Sequence, residues 1–170
     1  MDLSTYIRDI PNFPKPGVVF KDITPLLKDP KALQLATESL LRFTADIKVD
    51  KVVGVDSRGF IFAPLLAQKI GAGFVPVRKS GKLPFDALSE PYELEYGQET
   101  LQIHSDAIEK GEKVLVHDDV LATGGTAKAV CRLVERLGGE VVQCNFLIQL
   151  TFLDGANKLN GYPIRSLLQY

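Results

Sequence analysis

The sequence predicts an α/β fold with a mainly parallel central sheet flanked by helices, together with a small N-terminal segment and an antiparallel flap. Short apolar runs alternate along the chain with segments in which apolar residues recur every three or four positions. That order is typical of strands alternating with helices. Two of the predicted strand-to-helix turns combine glycine with charged or hydroxyl side chains. We expect one domain over residues 1–170, with an N-terminal hood segment at 1–30 and a flexible flap at 83–104.

The composition excludes several functional classes. The chain has 170 residues, of which 45% are hydrophobic and 24% charged, as in ordinary globular proteins. A net charge of −1 provides no broad basic surface for nucleic acid, and no apolar run reaches the roughly 18 residues of a membrane helix. The first residues lack the basic and apolar regions of a signal peptide. We therefore expect a cytoplasmic protein without nucleic-acid or membrane partners, in which Cys131 and Cys144 are ordinary core residues.

The N-terminal part predicts few regular elements. Residues 2–10 favour a short helix, and the prolines and glycine of residues 11–17 interrupt it. The apolar patch at 18–20 could pack over a core or cover a planar ligand, and the residues alone favour packing. Residues 30–44 predict an amphipathic helix.

A first strand–turn–helix unit follows, with a strand at 51–55 and a helix at 60–70. Its turn, Asp56-Ser57-Arg58-Gly59, places an arginine at a strand end. Such a turn is either an anion site or an ordinary surface loop.

The next strand, 74–77, runs into three cations, Arg78, Lys79 and Lys82. This run is either a solvated face or a diphosphate site. Residues 92–96 and 99–104 then alternate polar and apolar side chains and predict an antiparallel hairpin. A flap of this kind can close over a site and bring an acid with it. The candidate acids are Glu93, Glu95 and Glu99, although for each one taken alone the sequence favours a solvent-facing strand carboxylate.

The most informative stretch is a second strand–turn–helix unit. An apolar strand at 114–116 is followed by Asp118 and Asp119, a small-residue turn at 122–126 and a helix at 126–137. Free amides at the start of the helix and two threonine hydroxyls in the turn suit a phosphate. The two carboxylates can accept hydrogen bonds from a sugar diol or hold a hydrated Mg²⁺. A ribose 5-phosphate needs both kinds of site.

The chain then predicts a strand at 141–150, a helical turn at 154–159 and a final strand at 166–170. The glycine-rich turn is not a P-loop, because no lysine follows Gly125 directly.

The acids and the glycine-rich turn together resemble the phosphoribosyl-diphosphate (PRPP) motif of type I phosphoribosyltransferases. The fold that this resemblance implies is the one described above, with the hood and the flap. One departure is His117, where the family usually has an apolar residue. His117 is either a packed strand histidine, which we favour, or a group that tunes the neighbouring acids.

Further blocks resemble the adenine-specific members of that family and extend the similarity over nearly the whole chain. The blocks lie at residues 13–25, 56–60, 78–84, 94–97 and 166–170. Ser80 is a second departure, because some relatives carry a basic residue there.

The resemblance implies a role for each matching residue. The 5-phosphate would be held by Ala122, Thr123, Gly124, Gly125 and Thr126, and the ribose hydroxyls by Asp118 and Asp119. The diphosphate would be held by Ser57, Arg58, Arg78, Lys79 and Lys82. In this family the loop that carries Arg58 often has a strained or cis peptide. The adenine would lie against Val19, Phe20, Lys21 and Val120, and in the flap Glu95 would be the general acid/base, with Tyr96 beside it.

The implied reaction converts adenine and PRPP to AMP and diphosphate in purine salvage. It requires Mg²⁺, which would be held mainly by PRPP and water rather than directly by the protein. The resemblance also implies a homodimer. Two rival functions are transfer to another base, such as hypoxanthine, xanthine or orotate, and a regulatory protein that binds PRPP without turnover.

Overall fold

Nine strands and five α-helices follow one another in the computed structural model, which describes residues 1–93 and 97–170. The strands are β1 (Arg8–Pro11), β2 (Val19–Asp22), β3 (Lys51–Val55), β4 (Gly73–Lys79), β5 (Ala87–Glu93), β6 (Gln98–His104), β7 (Lys113–Leu121), β8 (Glu140–Gln149) and β9 (Ile164–Gln169). The helices are α1 (Thr24–Lys28), α2 (Pro30–Arg42), α3 (Gly59–Ile70), α4 (Gly125–Arg136) and α5 (Gly155–Lys158). Short 3₁₀ helices cover Leu3–Tyr6 and Thr151–Leu153.

The chain divides into two compact units, Met1–Ser39 and Leu40–Tyr170. The first unit contains a small antiparallel sheet, in which β1 pairs with β2 and Ile10 lies opposite Phe20. This sheet is the predicted hood. The predicted helix over residues 2–10 is wrong beyond Tyr6, because Arg8–Pro11 takes strand pairing with β2 instead of continuing as a helix.

The second unit contains a seven-stranded sheet in the order β5-β6-β4-β3-β7-β8-β9. The five strands from β4 to β9 in that order are parallel, and β6 and β5 add an antiparallel hairpin beside β4. The predicted mainly parallel sheet is therefore confirmed. The hairpin strand β5 begins at Ala87, five residues before the expected 92, because Ala87 to Glu93 all pair with β6.

The helices that follow β3 and β7 lie on opposite faces of this sheet. In the strand order, α3 connects β3 to β4 in one direction along the sheet, whereas α4 connects β7 to β8 in the opposite direction. Because parallel crossovers are right-handed, the two helices lie on opposite faces. Accordingly Phe62 of α3 contacts His117 edge to face at 6.0 Å. Val130 of α4 instead shares a buried cluster with Val114 and Val116. The loops after β3 and β7 diverge, which opens a crevice between these strand ends.

The buried cysteines behave as predicted. Cys131 of α4 and Cys144 of β8 are free, buried thiols whose sulfur atoms lie 3.5 Å apart. Within the part of the chain that the structure describes, no helix combines the length and the apolar character that crossing a membrane requires.

Candidate active site

A cleft of about 520 Å³ opens at the carboxyl ends of β3, β4 and β7. It lies at the divergence of the two crossovers, where open α/β sheets bind ligands. Its walls come from β3 and the loop after it, the end of β4, the β5-β6 hairpin, β7 and the start of α4. The lining residues are Val55, Asp56, Ser57, Arg58, Lys79, Lys82, Tyr92, Leu101, Asp118, Asp119 and Thr126. The cleft therefore brings together acids, cations and hydroxyls that are up to 70 positions apart in the sequence.

The two acids lie within β7 rather than after it. The predicted strand ended near Val116, but β7 continues to Leu121 because Val120 and Leu121 pair with Ile148 and Gln149 of β8. The strand fixes the direction of both carboxylates. Asp118 is half-buried and therefore more accessible to a ligand, whereas Asp119 is only 4% exposed.

Burial dominates the electrostatics of this acid pair. It raises the pKa of Asp118 well above its usual value, and the negative charge of Asp119 raises it further. Burial also raises the pKa of Asp119, although the Arg58 charge opposes that rise. The backbone amide of Asp119 donates to Asp118 Oδ1 at 2.9 Å. These are carboxylates for which a hydroxyl donor or a cation would offset the loss of water.

The loop after β3 reaches the acid pair. Arg58 Nε lies 2.8 Å from Asp119 Oδ2, so the arginine predicted to face a diphosphate forms an ion pair with a predicted ribose ligand. The Asp56–Ser57 peptide bond is cis, as the family resemblance led us to expect. At the start of α3, a Cβ built on Gly59 would lie 3.0 Å from Asp118 Oδ1, so a side chain larger than hydrogen would press on the acid.

The glycine-rich loop, residues 122–126, forms a separate small cavity of about 70 Å³. Ala122, Thr123, Gly124 and Thr126 of the loop all line it. Gly124 precedes α4 in the left-handed conformation, at φ 82°, which glycine adopts without strain. The loop thus directs the first turn of α4 towards the cavity, the arrangement expected for an anion site.

A residue that the sequence analysis missed supports this loop from behind. A Cβ on Gly155 would lie 2.1 Å from the carbonyl oxygen of Ala122, and one on Gly124 would lie 2.3 Å from the carbonyl oxygen of Gly155. The backbones of the loop and of the first residue of α5 therefore touch, and only glycine fits. The Asp154-Gly155 dipeptide indicated a turn, but its contact with the loop depends on tertiary structure.

The three predicted cations do not all reach the cleft. Lys79 and Lys82 line it, whereas Arg78 binds Asp56 Oδ2 through Nε at 3.0 Å and the Lys82 carbonyl through Nη1 at 3.3 Å. Arg78 and Lys79 are consecutive strand residues, so their side chains leave β4 on opposite faces. Arg78 thus supports Asp56 and the turn at Lys82, while its contact with a diphosphate stays a prediction.

The hairpin contributes Tyr92, which the sequence analysis also missed. Tyr92 lines the cleft, and its hydroxyl donates to Glu99 Oε2 at 2.8 Å. Burial, and then this hydrogen bond, raises the pKa of Tyr92 to about 12. Two arginines of α4 hold the same hairpin, since Arg136 Nη1 and Arg132 Nη1 lie 3.0 and 3.3 Å from Glu90 carboxylate oxygens. Of the candidate flap acids, Glu99 thus accepts the hydrogen bond from Tyr92.

The residues predicted to contact adenine belong to different parts of the chain. Val19, Phe20 and Lys21 lie on β2 of the first unit, where Phe20 packs edge to face on Phe13 at 5.2 Å. Val120 lies on β7 of the second unit and lines the small cavity of the glycine-rich loop. Their common role stays a prediction.

The predicted catalytic Glu95 and its neighbour Tyr96 lie outside the described residues.

His117 is fully buried on β7, beside the acids. Its Nδ1 lies 2.7 Å from Asn145 Oδ1, and burial lowers its pKa to about 4. A neutral, enclosed histidine matches the favoured alternative, a packed strand residue.

Comparison with known proteins agrees with this geometry. Residues 25–159 match the phosphoribosyl transferase domain family. The chain belongs to this family. It is 59% identical over 170 residues to the adenine phosphoribosyltransferase of Christiangramia forsetii, with 100% of this chain and 99% of the relative covered.

Solved structures of family members share the fold. A crystal structure of the adenine phosphoribosyltransferase of Rhodothermus marinus is 56% identical and superposes with a TM-score of 0.95, covering 99% of this chain and 96% of the relative. The Saccharomyces cerevisiae enzyme, solved with D-2,5-dideoxy-2,5-imino-altritol 1,6-bisphosphate and adenine, is 41% identical. Its TM-score is 0.92, with 98% of this chain and 96% of the yeast chain covered. The cleft of this phosphoribosyl transferase domain therefore sits in a fold that, in yeast, was solved with a bisphosphate and adenine.

Proposed function

We propose that this protein is an adenine phosphoribosyltransferase, which transfers the phosphoribosyl group of PRPP to adenine and releases diphosphate. The observation that carries the proposal is the arrangement along one strand end, where the acid pair lies between the glycine-rich loop and the lysines of the cleft. PRPP has the same order of groups, with a ribose diol between a 5-phosphate and a diphosphate. The names of the full-length relatives support adenine as the base.

The 5-phosphate binds in the cavity of the glycine-rich loop. Free amides at the start of α4 and the hydroxyls of Thr123 and Thr126 donate to its oxygens. The ribose hydroxyls donate to Asp118 and Asp119, of which Asp118 is the more accessible. Holding both ends of the sugar fixes C1′ relative to the base, which is the positioning that a transfer reaction requires.

The diphosphate leaves towards Ser57, Arg58, Lys79 and Lys82. Cationic charge develops on the sugar as the bond from C1′ breaks, and the acids beneath the ribose stabilise that charge. The lysines stabilise the negative charge of the leaving group, in a cleft where such interactions are stronger than in water. Adenine N9 then attacks C1′ from the opposite face, and the configuration at C1′ is inverted.

Glu95 is the general acid/base that handles a purine proton at N7 or N9, with Tyr96 beside it. Phe20 and Val120 contact the faces of the base, and Val19 and Lys21 complete the adenine site. Closure of the flap at 83–104 excludes water, which would otherwise hydrolyse PRPP. These assignments rest on the resemblance of the sequence blocks.

Mg²⁺ accompanies PRPP, and when bound it supplies electrostatic stabilisation of the leaving diphosphate. The residues fit an ion held mainly by substrate oxygens and water. Asp118, half-buried and directed into the cleft, suits contact with a hydrated ion, since Mg²⁺ keeps several of its waters.

The protein acts in the cytoplasm as a homodimer. This assignment rests on the resemblance of the sequence blocks. Light scattering coupled to size-exclusion chromatography tests the dimer, and a monomeric mass would contradict it.

The deciding experiment is a spectrophotometric assay with PRPP and Mg²⁺, in which adenine, hypoxanthine, guanine and xanthine are compared in parallel. We expect AMP from adenine alone. Turnover of another base would refute the adenine assignment, and PRPP binding without turnover would indicate a regulatory protein. Glu95→Gln then tests the catalytic acid, because a turnover close to that of the wild type would refute its role.

A further inference from the structure

We propose that Glu99 is a positioning residue, which holds Lys79 and Tyr92 in the wall of the cleft where PRPP binds. Glu99 Oε1 accepts a hydrogen bond from Lys79 Nζ at 2.9 Å, and Glu99 Oε2 accepts one from the Tyr92 hydroxyl at 2.8 Å. Both partners line the cleft, and Glu99 does not. Glu99 therefore acts on the substrate through these two side chains.

Strand pairing explains why one carboxylate reaches both partners. β6 lies between β4 and β5, and Glu99 is directly opposite Tyr92 in the antiparallel register. On the other side, Lys79 is opposite Leu101, two residues from Glu99. The backbone thus sets the distance between the three side chains, and the contact joins the hairpin to the end of the parallel sheet.

The chemistry of Lys79 explains how its contact with Glu99 favours the binding of PRPP. The Lys79 ammonium has three donors and uses one on Glu99, so the others stay available to an anion. A lysine with a free side chain loses rotamer entropy when an anion fixes it, and the contact with Glu99 supplies part of that ordering before PRPP binds. Because the Lys79 side chain is 54% exposed, we expect an effect on binding rather than on the fold.

Tyr92 connects the same carboxylate to the glycine-rich loop. A Cβ built on Gly125 would lie 3.8 Å from Tyr92 Cδ2, so the tyrosine ring lies against the start of α4. Glu99 accepts a hydrogen bond from the Tyr92 hydroxyl, which fixes the ring between the hairpin and the helix. One carboxylate therefore orders both a cation of the cleft and a side chain beside the phosphate loop.

The test is a double-mutant cycle on PRPP affinity, measured by isothermal titration calorimetry with Mg²⁺. Glu99→Ala is expected to raise the Kd for PRPP about fivefold, and Glu99→Gln about threefold, because glutamine keeps an acceptor for Tyr92 but loses the charge that holds Lys79. In a Lys79→Ala, Tyr92→Phe background, Glu99→Ala is expected to change the Kd less than twofold. That loss of effect distinguishes positioning from a general loss of stability.

The matched control is Glu140→Ala, which breaks a similar pair, with Lys113, at the amino ends of β7 and β8. It should leave the Kd for PRPP unchanged. An unchanged Kd in Glu99→Ala, or the same increase in the Lys79→Ala, Tyr92→Phe background, would overturn the proposal. The inference rests on PRPP being the ligand, as proposed above, but not on adenine. If the protein binds PRPP without making AMP, the proposed function is refuted, but the double-mutant cycle still tests the positioning role of Glu99.

Discussion

The glycine-rich loop and the cation cluster, Arg78, Lys79 and Lys82, form the two ends of the proposed PRPP site and are built by different means. The loop has a small cavity of its own, and Lys79 and Lys82 of the cluster line the main cleft. The loop is defined by backbone, and its shape depends on the contact of Gly124 with Gly155. The cation cluster is defined by long side chains, two of which are paired with acids, Arg78 with Asp56 and Lys79 with Glu99. A backbone site cannot adjust to a bulkier residue, whereas side chains can exchange partners. The proposed 5-phosphate, which is retained in the product, thus meets the rigid end, and the proposed leaving group meets the adaptable one.

The largest effect is expected from Gly155→Ala, which tests the rigid end. The new methyl group would meet the carbonyl of Ala122, so the loop must move, and the free energy of unfolding should fall by about 4 kcal/mol. PRPP affinity should fall at least a hundredfold. Thermal unfolding and calorimetry measure the two effects. Gly73→Ala is the control, because its methyl group would meet only the flexible end of Lys51, and equal effects of the two variants would contradict the proposed rigidity.

The second effect concerns His117, which is buried on β7 directly before the acids. Its pKa of about 4 in the folded protein lies below the 6.5 of a free histidine, so the unfolded chain takes up the proton first as the pH falls. Stability should therefore be lost between pH 6.5 and 4, by about 3 kcal/mol in total. His117→Gln removes this titration.

Urea unfolding of the wild type and of His117→Gln at pH 7 and pH 4.5 measures the difference. The stability of the variant should fall less over this interval, whatever its stability at pH 7. Equal losses in the two proteins would show that His117 is not kept neutral by burial.

The third effect separates function from stability at the acid pair. Asp118→Asn should lower kcat/KM for PRPP about thirtyfold, which corresponds to a hydrogen bond to a charged group of about 2 kcal/mol. The same substitution should raise the melting temperature of the ligand-free protein. The pKa of Asp118 is raised in the folded state, so its charged form opposes folding as the pH rises through that pKa.

Asparagine carries no such charge, which is why stability should increase while activity falls. Kinetics and thermal unfolding at pH 7.5 test both expectations, with Asp106→Asn on an exposed turn as the control. A variant that loses both activity and stability would argue against a costly buried charge at this position.

The smallest effect is expected from Arg78→Ala at the adaptable end. Asp56 would lose its ion pair beside the cleft and repel an incoming diphosphate, while the remaining lysines rearrange. We expect kcat/KM for PRPP to fall about fivefold, the equivalent of about 1 kcal/mol. Steady-state kinetics measure it, and Arg165→Ala on β9 is the remote control. A loss as large as that of Asp118→Asn would mean that Arg78 contacts the substrate directly.

Much of the site could be predicted because local patterns carry it. The small-residue turn leads from a strand into a helix, as predicted, but Asp118 and Asp119 lie within β7 instead of following it. The extension of β7 beyond Val116 results from its pairing with β8. The predicted helix over residues 2–10 failed for the same reason, since its last residues pair with β2.

The sequence by itself determined the order of strands and helices from residue 30 onwards, the glycine-rich loop and the presence of acids and cations near strand ends. These depend on periodicity, turn residues and side-chain chemistry, all of which act over a few neighbouring positions. Only the tertiary structure decided that Gly155 supports the loop, that Arg58 pairs with Asp119 and that Glu99 holds Lys79 and Tyr92. Such contacts join residues 7 to 61 positions apart, from Tyr92 with Glu99 to Arg58 with Asp119. They depend on strand order and register, which no local pattern specifies.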